Sequence, residues 1–170
     1  MPKISAVRFI DEVILPIVLV VGVKFLSVLL LTIILGFSWS FDSEVKNRLL
    51  IFSFQRFSEL TTVSNISDIA AVLTSCIGFS WVVFRATYFR KDRIHPAAEV
   101  LLRQNSREAL LFSKEESLHQ VTVWLVISWF LLFFVLNNVL VGITSFFVLG
   151  LGIGINIALT AAFYKELVRG

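Results

Sequence analysis

The longest uncharged stretch of the chain runs from Val121 to Phe163, and it constrains the fold more than any other feature. It contains 43 residues without an Asp, Glu, Lys or Arg. As a single helix it would measure about 65 Å, whereas the hydrocarbon core of a bilayer is about 30 Å thick. The stretch must therefore fold back on itself. We expect the turn within Asn137–Gly142, because Asn and Gly tolerate turn geometry.

Two shorter apolar runs precede this stretch, the second of which is polar in its first third. The chain is 57% hydrophobic and only 16% charged, whereas a soluble domain usually carries about 25% charged residues. Backbone groups in hydrocarbon must be paired internally, which favours helices. The sequence thus predicts an all-α integral membrane protein, a single domain over residues 1–170. Its four transmembrane helices are expected at residues 13–37, 60–84, 121–137 and 143–163.

The distribution of Lys and Arg predicts the orientation of these helices. With four spans, both termini and the loop of residues 85–120 share one side. That side holds eleven of the fifteen basic residues, the other side holds three, and Lys24 lies within the first span. Cytoplasmic segments carry the excess of Lys and Arg. We therefore expect both termini and the 85–120 loop in the cytoplasm, at a cell membrane of the plasma or inner type.

Two segments outside the spans have patterns that are typical of helices. Residues 41–59 mix charges with phenylalanines, and we interpret them as an amphipathic segment on the outer surface that starts at Asp42 or Ser43. The 85–120 loop is predicted to contain short helices, because Pro96 suits a first helical position and two helix-like stretches follow it.

Lys24 interrupts the first span near its middle, about 16 Å from Val13 at the helical rise. A lysine at that depth costs roughly 2.5–3.5 kcal/mol on insertion scales, so we expect it to have a partner. Asp68 is the acidic residue that lies inside another apolar run. Counted from the outer side, the depth of Asp68 is about 12 Å and that of Lys24 about 14 Å. The sequence therefore predicts an ion pair between the first two helices.

The second span has one face of small and polar residues towards which Lys24 can point. Its members recur at spacings of three and four, as neighbours on one side of a helix do. They are Thr61, Ser64, Asp68, Ala71, Ser75 and Gly78, with Asn65 beside them. Three interpretations of the pair stay open: a structural contact that sets helix register, a transport or proton-relay site, or no pair, with Lys24 snorkelling or meeting a partner protein.

The fourth span is rich in glycine. Gly150, Gly152 and Gly154 resemble part of a G-x-G-x-x-G fingerprint, but position 155 is Ile and no βαβ unit surrounds them, so we expect no nucleotide binding. A stripe of small residues is the better interpretation, since it lets another helix approach closely. The members of the small-residue stripe are Gly150, Gly154, Ala158 and Ala162. The approaching helix belongs either to this chain or to another.

A cluster of basic residues follows the second span. It consists of Arg85, Arg90, Lys91 and Arg93. We expect these residues to set the topology and to contact anionic lipid headgroups, with a phosphorylated-lipid or polyanion site as the alternative. The net charge of +3 has the same explanation, so the predicted partners are the lipid bilayer and its headgroups, and no nucleic acid.

The sequence contains no recognisable motif for catalysis, a metal or a cofactor. The single Cys76 excludes an intrachain disulfide and a C-x-x-C site, and no G-x-S-x-G sequence occurs. We therefore expect a non-enzymatic subunit, anchor or assembly factor without metal or cofactor, within a homo-oligomer or a larger membrane complex. The alternative is a homo-oligomeric ion channel, or a proton- or ion-coupled transporter, that uses Lys24, Asp68 and the polar face around them.

Overall fold

The computed structural model describes residues 10–37, 39–41, 52–54, 56–89, 94–96, 100 and 114–169. Within these residues the chain forms four long helices. They are α1 (Leu15–Leu35), α2 (Phe57–Tyr88), α3 (Lys114–Leu140) and α4 (Phe146–Arg169). A turn of π-helix, Ile10–Ile14, precedes α1. All four helices are long and apolar enough to cross a membrane, which confirms the predicted number of candidate spans.

The same backbone hydrogen-bond motif ends α1 and α3. Gly36 takes a left-handed conformation with φ of 64°, and its N–H donates to the Ile33 carbonyl at 3.3 Å, while the next N–H reaches the Thr32 carbonyl at 3.0 Å. Gly142, with φ of 81°, ends α3 in the same way. This pair of bonds is the Schellman motif, which favours glycine because only glycine adopts that conformation without strain.

The turn between α3 and α4 extends beyond the range that the sequence predicted. Helix α3 continues to Leu140 and the turn occupies residues 141–145, so only Val141 and Gly142 lie within the predicted range of residues 137–142. Asn137 and Asn138 therefore belong to the last helical turn of α3. The helix continues until the glycine at position 142 supplies the left-handed residue that reverses the chain.

The helical interpretation of residues 41–59 is wrong at Phe41 and at Phe52–Phe54. Trp39–Phe41 forms strand β1, which pairs antiparallel with strand β2, Phe52–Phe54. In both strands an aromatic residue alternates with serine, and this period of two suits a strand rather than a helix. The start of α2 at Phe57 takes the remainder of the segment, while residues 42–51 and 55 lie outside the described part of the chain.

Helix α2 lies at the centre of the bundle, where it packs against α1, α3 and α4. Its last turn contains Arg85, so the predicted loop of residues 85–120 is shorter than expected. The short helices expected in that loop fall largely outside the described residues. The main cluster of buried apolar side chains draws on all four helices, and its members include Val20, Val72, Phe79, Val121, Val135 and Leu159.

Candidate functional site: the Asp68 cluster

Asp68 lies on the inner face of α2 with a fully buried side chain. Its Oδ1 atom is 2.5 Å from Nζ of Lys24, which projects from α1. The structure thus brings together the two residues whose depths match in the sequence. Lys24 keeps 32% of its side chain exposed, so the pair is closed on the aspartate side and partly open on the lysine side.

The second carboxylate oxygen of Asp68 receives hydrogen bonds from two other side chains, and a third polar side chain lies beside it. The hydroxyl of Thr144 donates to Oδ2 at 2.8 Å, the side-chain amide of Asn138 donates at 3.1 Å, and the Ser64 hydroxyl lies at 3.5 Å. Ser64 and Thr144 also share a hydrogen bond of 2.9 Å between their hydroxyls. We call these five residues, Lys24, Ser64, Asp68, Asn138 and Thr144, the Asp68 cluster.

The turn after α3 positions two members of the cluster. The backbone carbonyl of Asn138 accepts the N–H groups of Ile143 and Thr144, at 2.9 and 3.2 Å. This holds the Thr144 side chain beside the end of α3, where both Thr144 and Asn138 reach the same carboxylate oxygen. Asn138 and Thr144, which are joined by a backbone hydrogen bond in this turn, therefore both bind Asp68 through their side chains.

Helix α2 also anchors the start of α4 next to the cluster. The side-chain oxygen of Asn65 accepts a hydrogen bond of 2.7 Å from the backbone N–H of Ser145. Ser145 directly precedes α4, and its carbonyl accepts a hydrogen bond of 3.1 Å from the N–H of Val148 in the first turn of that helix. N–H groups at the beginning of a helix need partners from outside the helix. The amide oxygen of Asn65 supplies one at the entrance to α4.

The geometry of the cluster stabilises contacts between helices and leaves little acceptor capacity unused. An ionised carboxylate offers about four acceptor positions, and here one ammonium and two neutral donors converge on it, with the Ser64 hydroxyl at 3.5 Å. Taking two charges out of water is costly, and their attraction offsets that cost only when further hydrogen bonds satisfy the remaining lone pairs. The cluster meets this condition at Asp68 and joins α1, α2, α3 and the turn before α4.

Not every member of the predicted polar face joins the cluster. Ser64 and Asn65 take part in the contacts described above, whereas the hydroxyl of Thr61 donates to the Ser58 carbonyl of its own helix at 3.0 Å. Ser75 is fully buried, but it lies two helical turns away from Asp68 and makes none of these contacts. The predicted face is therefore divided between two levels of the bundle.

Sequence reasoning missed Asn138 and Thr144 as partners of Asp68. The sequence places Asn138 in a predicted turn and predicts no other role for its side chain. A signal was available, because both residues are polar within the uncharged 43-residue stretch and flank the position where it folds back. The predicted topology places that position on the outer side, and Asp68 was counted inward from the same side.

The small-residue stripe points away from the rest of the chain over most of its length. Among the described residues, no atom lies within 4 Å of a Cβ atom added at Gly150 or Gly154, and Ala158 is exposed. Ala162 is the member of the stripe that packs against the core. The described part of the chain therefore supplies no helix that packs against either glycine. The inward side of α4 instead carries Gly152, where an added Cβ would lie 2.9 Å from the Leu132 side chain.

Of the predicted basic cluster, Arg85 lies near the opposite end of the bundle, partly buried in the last turn of α2. Arg90, Lys91 and Arg93 fall outside the described residues. In the described part of the chain no group of three His, Cys, Asp or Glu side chains could hold a metal ion. One contact there joins α3 to the chain before α1, since His119 Nε2 lies 3.5 Å from Glu12 Oε2.

Comparisons with protein-family models, with curated proteins and with solved structures find no match to this chain. Its class therefore rests on the fold itself. Over the described residues the chain is predominantly helical, with four helices that are long and apolar enough to span a membrane.

Proposed function

We propose that this chain is a non-enzymatic, multi-pass membrane protein that serves as a subunit, anchor or assembly factor. The Asp68 cluster carries this proposal. Asp68, the most buried acidic side chain in the described part of the chain, is bound by donors from α1, α3 and the turn before α4. A carboxylate occupied in this way holds helices together and offers little to a substrate.

The outward surfaces of the bundle support the same proposal. Every long helix presents large apolar side chains to its surroundings. On α3 alone, such side chains line an open groove of about 570 Å³. The groove is lined by Leu125, Val126, Trp129, Phe130 and Phe133. Soluble proteins rarely expose such continuous apolar surface. Lipid chains and the helices of a larger membrane complex are the surroundings that suit it.

The proposal includes an orientation and a membrane. Eleven of the fifteen basic residues lie on the side of both termini and of the 85–120 loop, so we place that side in the cytoplasm and the helices in a cell membrane. Arg85, Arg90, Lys91 and Arg93 then lie at the cytoplasmic surface, where they would meet anionic lipid headgroups.

One observation favours a second candidate function, a homo-oligomeric channel or an ion-coupled transporter. The Lys24 side chain is 32% exposed, so one side of the ion pair is not covered by this chain. An ionisable group within a membrane often lies on an ion path. In an oligomer, the exposed side of Lys24 would face such a path.

Two measurements on the tagged, full-length chain separate these functions. The first is the composition of the complex after purification in mild detergent at native expression level. The second is flux of protons, alkali cations and halides in liposomes. The proposed function predicts a stoichiometric complex with another membrane protein and no flux.

The transport candidate makes the opposite prediction. It expects a symmetric homo-oligomer whose flux is abolished in Lys24→Met/Asp68→Asn, although that variant assembles normally. The matched control is Asn137→Leu, which changes an exposed polar side chain near the cluster. Flux that is present in the wild type and in the control, and lost only in the double variant, would overturn the proposed function.

A further inference from the structure

A second buried polar level lies below the Asp68 cluster. Three side chains from three helices are almost completely buried there, Ser75 on α2, Ser128 on α3 and Asn156 on α4, and none is more than 2% exposed. We call these three residues the Ser75 layer. None of them contacts Asp68, so the layer is separate from the site described above.

The register of α2 and α4 places two members of the layer at the same depth. Both helices run in the same direction from the contact between Asn65 and the Ser145 N–H. Ser75 lies ten residues beyond the first of these positions, and Asn156 lies eleven beyond the second. At 1.5 Å per residue, their depths differ by only about 1.5 Å.

The register of α3 brings the third member to the same level. The Leu132 side chain lies against Gly152 on α4. Because α3 and α4 are antiparallel, Ser128, four residues before Leu132, and Asn156, four residues after Gly152, lie at the same depth. Three polar side chains therefore occupy one level in the interior between α2, α3 and α4.

Two oxygen atoms of this layer have no protein partner. The Ser75 hydroxyl and Oδ1 of Asn156 are both buried without a hydrogen bond. The orientation of the Asn156 amide is fixed, because its Nδ2 donates to the Gly152 carbonyl at 2.9 Å. A buried polar atom left unsatisfied costs about 1–3 kcal/mol, and such atoms are usually paired with protein or with ordered water.

We propose that the Ser75 layer binds an internal water molecule. The water donates one hydrogen bond to Oδ1 of Asn156 and shares another with the hydroxyl of Ser75, and the Ser128 hydroxyl on α3 supplies the third polar group. Internal waters typically have two to four polar partners. The site is neutral, since the layer contains no charged side chain, and a bound cation would lack a counter-charge. A neutral, small donor is therefore the ligand that fits.

Water-edited NMR of the full chain in bicelles, labelled with ¹⁵N at asparagine, tests the proposal directly. Magnetisation should pass from water to the side-chain amide of Asn156, whose signal is assigned by its loss in Asn156→Leu. The transfer should disappear in Ser75→Val, because the larger, apolar side chain removes a partner and fills the space of the water. It should persist in Ser80→Val, a matched control at an exposed serine of the same helix.

Two outcomes would overturn the proposal. One is the absence of transfer to the Asn156 amide in the wild type. The other is transfer that depends on Na⁺ and is lost in choline chloride, which would assign the site to a cation. Thermal unfolding gives a second measurement in case Ser75→Val fails to fold. With water bound, Asn156→Leu should lower the Tm by about 3 °C, whereas an unsatisfied amide would make the same change raise it.

Discussion

Helices α1 and α2 are neighbours in the bundle, yet they are embedded in it to very different degrees. In the most apolar part of α2, 39% of the residues are buried, compared with 11% in α1. Helix α1 contains a single charged residue, Lys24, whereas α2 contains Asp68, Ser64 and Asn65, which contact α1, α3 or the turn before α4. The more polar helix is therefore the central one.

This order is the reverse of the one found in soluble proteins, where the most apolar segments are buried. In lipid, an apolar side chain gains little by leaving the surface, whereas a polar group must find a partner. The difference between α1 and α2 teaches that, in this bundle, hydrogen-bonding need rather than apolarity decides which helix lies inside. Each contact of α2 with a neighbour offers a way to test that conclusion.

The contact between α2 and α1 should have the largest effect. Lys24→Met leaves the buried carboxylate of Asp68 without its counter-charge, so we expect the free energy of unfolding to fall by about 3–5 kcal/mol. Lys24→Met/Asp68→Asn should recover most of this loss, because the amide oxygen still accepts from Asn138 and Thr144. Reversible unfolding by denaturing detergent measures both values. A double variant no more stable than the single one would show that the charge is not the cause.

The contact between α2 and α3 comes next. A Cβ atom at Gly78 would overlap the indole of Trp124, so Gly78→Ala should cost about 1–3 kcal/mol through overpacking. Adding Trp124→Leu should restore part of the stability by making room. The matched control is Gly22→Ala on α1, where no atom lies within 4 Å. The free energy of unfolding of that control should be unchanged or slightly higher. Equal losses of stability in Gly78→Ala and Gly22→Ala would contradict the conclusion that α2 is more tightly packed than α1.

The contact between α2 and α4 should have a smaller effect. Asn65→Leu removes the acceptor for the Ser145 N–H at the start of α4, a loss we expect to cost about 1 kcal/mol, as for other helix caps. Asn65→Asp keeps an acceptor oxygen and should lie closer to the wild type. Amide hydrogen exchange at Ser145 gives the local measurement. Protection that is unchanged in Asn65→Leu would contradict the capping role.

The smallest effect is expected at Thr61, whose hydroxyl bonds only to its own helix. Thr61→Val should change the free energy of unfolding by no more than about 0.5 kcal/mol. Thr144→Val is the contrasting variant, because Thr144 donates to Asp68 and shares a bond with Ser64. We expect it to lose about 1–2 kcal/mol. Similar losses at both threonines would mean that a bond between α2 and another element contributes no more to stability than a bond within α2.

The sequence predicts much of this fold because long apolar helices follow directly from long apolar runs. Four long apolar runs indicated four helices, and depth along a helix followed from the residue count alone. The same arithmetic brought Lys24 and Asp68 to one level. It could not identify Asn138 and Thr144, because their positions depend on where α3 ends, and the glycine at position 142 decides that end rather than the asparagines before it.

Other features were not predictable from hydropathy. Helix α4 carries small residues on two faces, and nothing in the sequence alone says whether Gly152 or Gly154 faces inward. In the structure Gly152 faces inward, because it packs against the Leu132 side chain of α3. The strands β1 and β2 were missed because a segment of three residues is too short for a periodic signal to outweigh the charges around it.

The partners of Asp68 lie far apart along the chain, and this fixes an order of events during synthesis. Oδ1 meets Lys24, which precedes Asp68 by 44 residues, whereas Oδ2 meets Asn138 and Thr144, which follow it by 70 and 76 residues. When α1 and α2 have left the ribosome, only half of the carboxylate has partners beyond its own helix. Until α3 and the turn after it have been synthesised, the second oxygen lacks the partners that Asn138 and Thr144 provide. Synthesis of these last elements supplies both partners to the carboxylate.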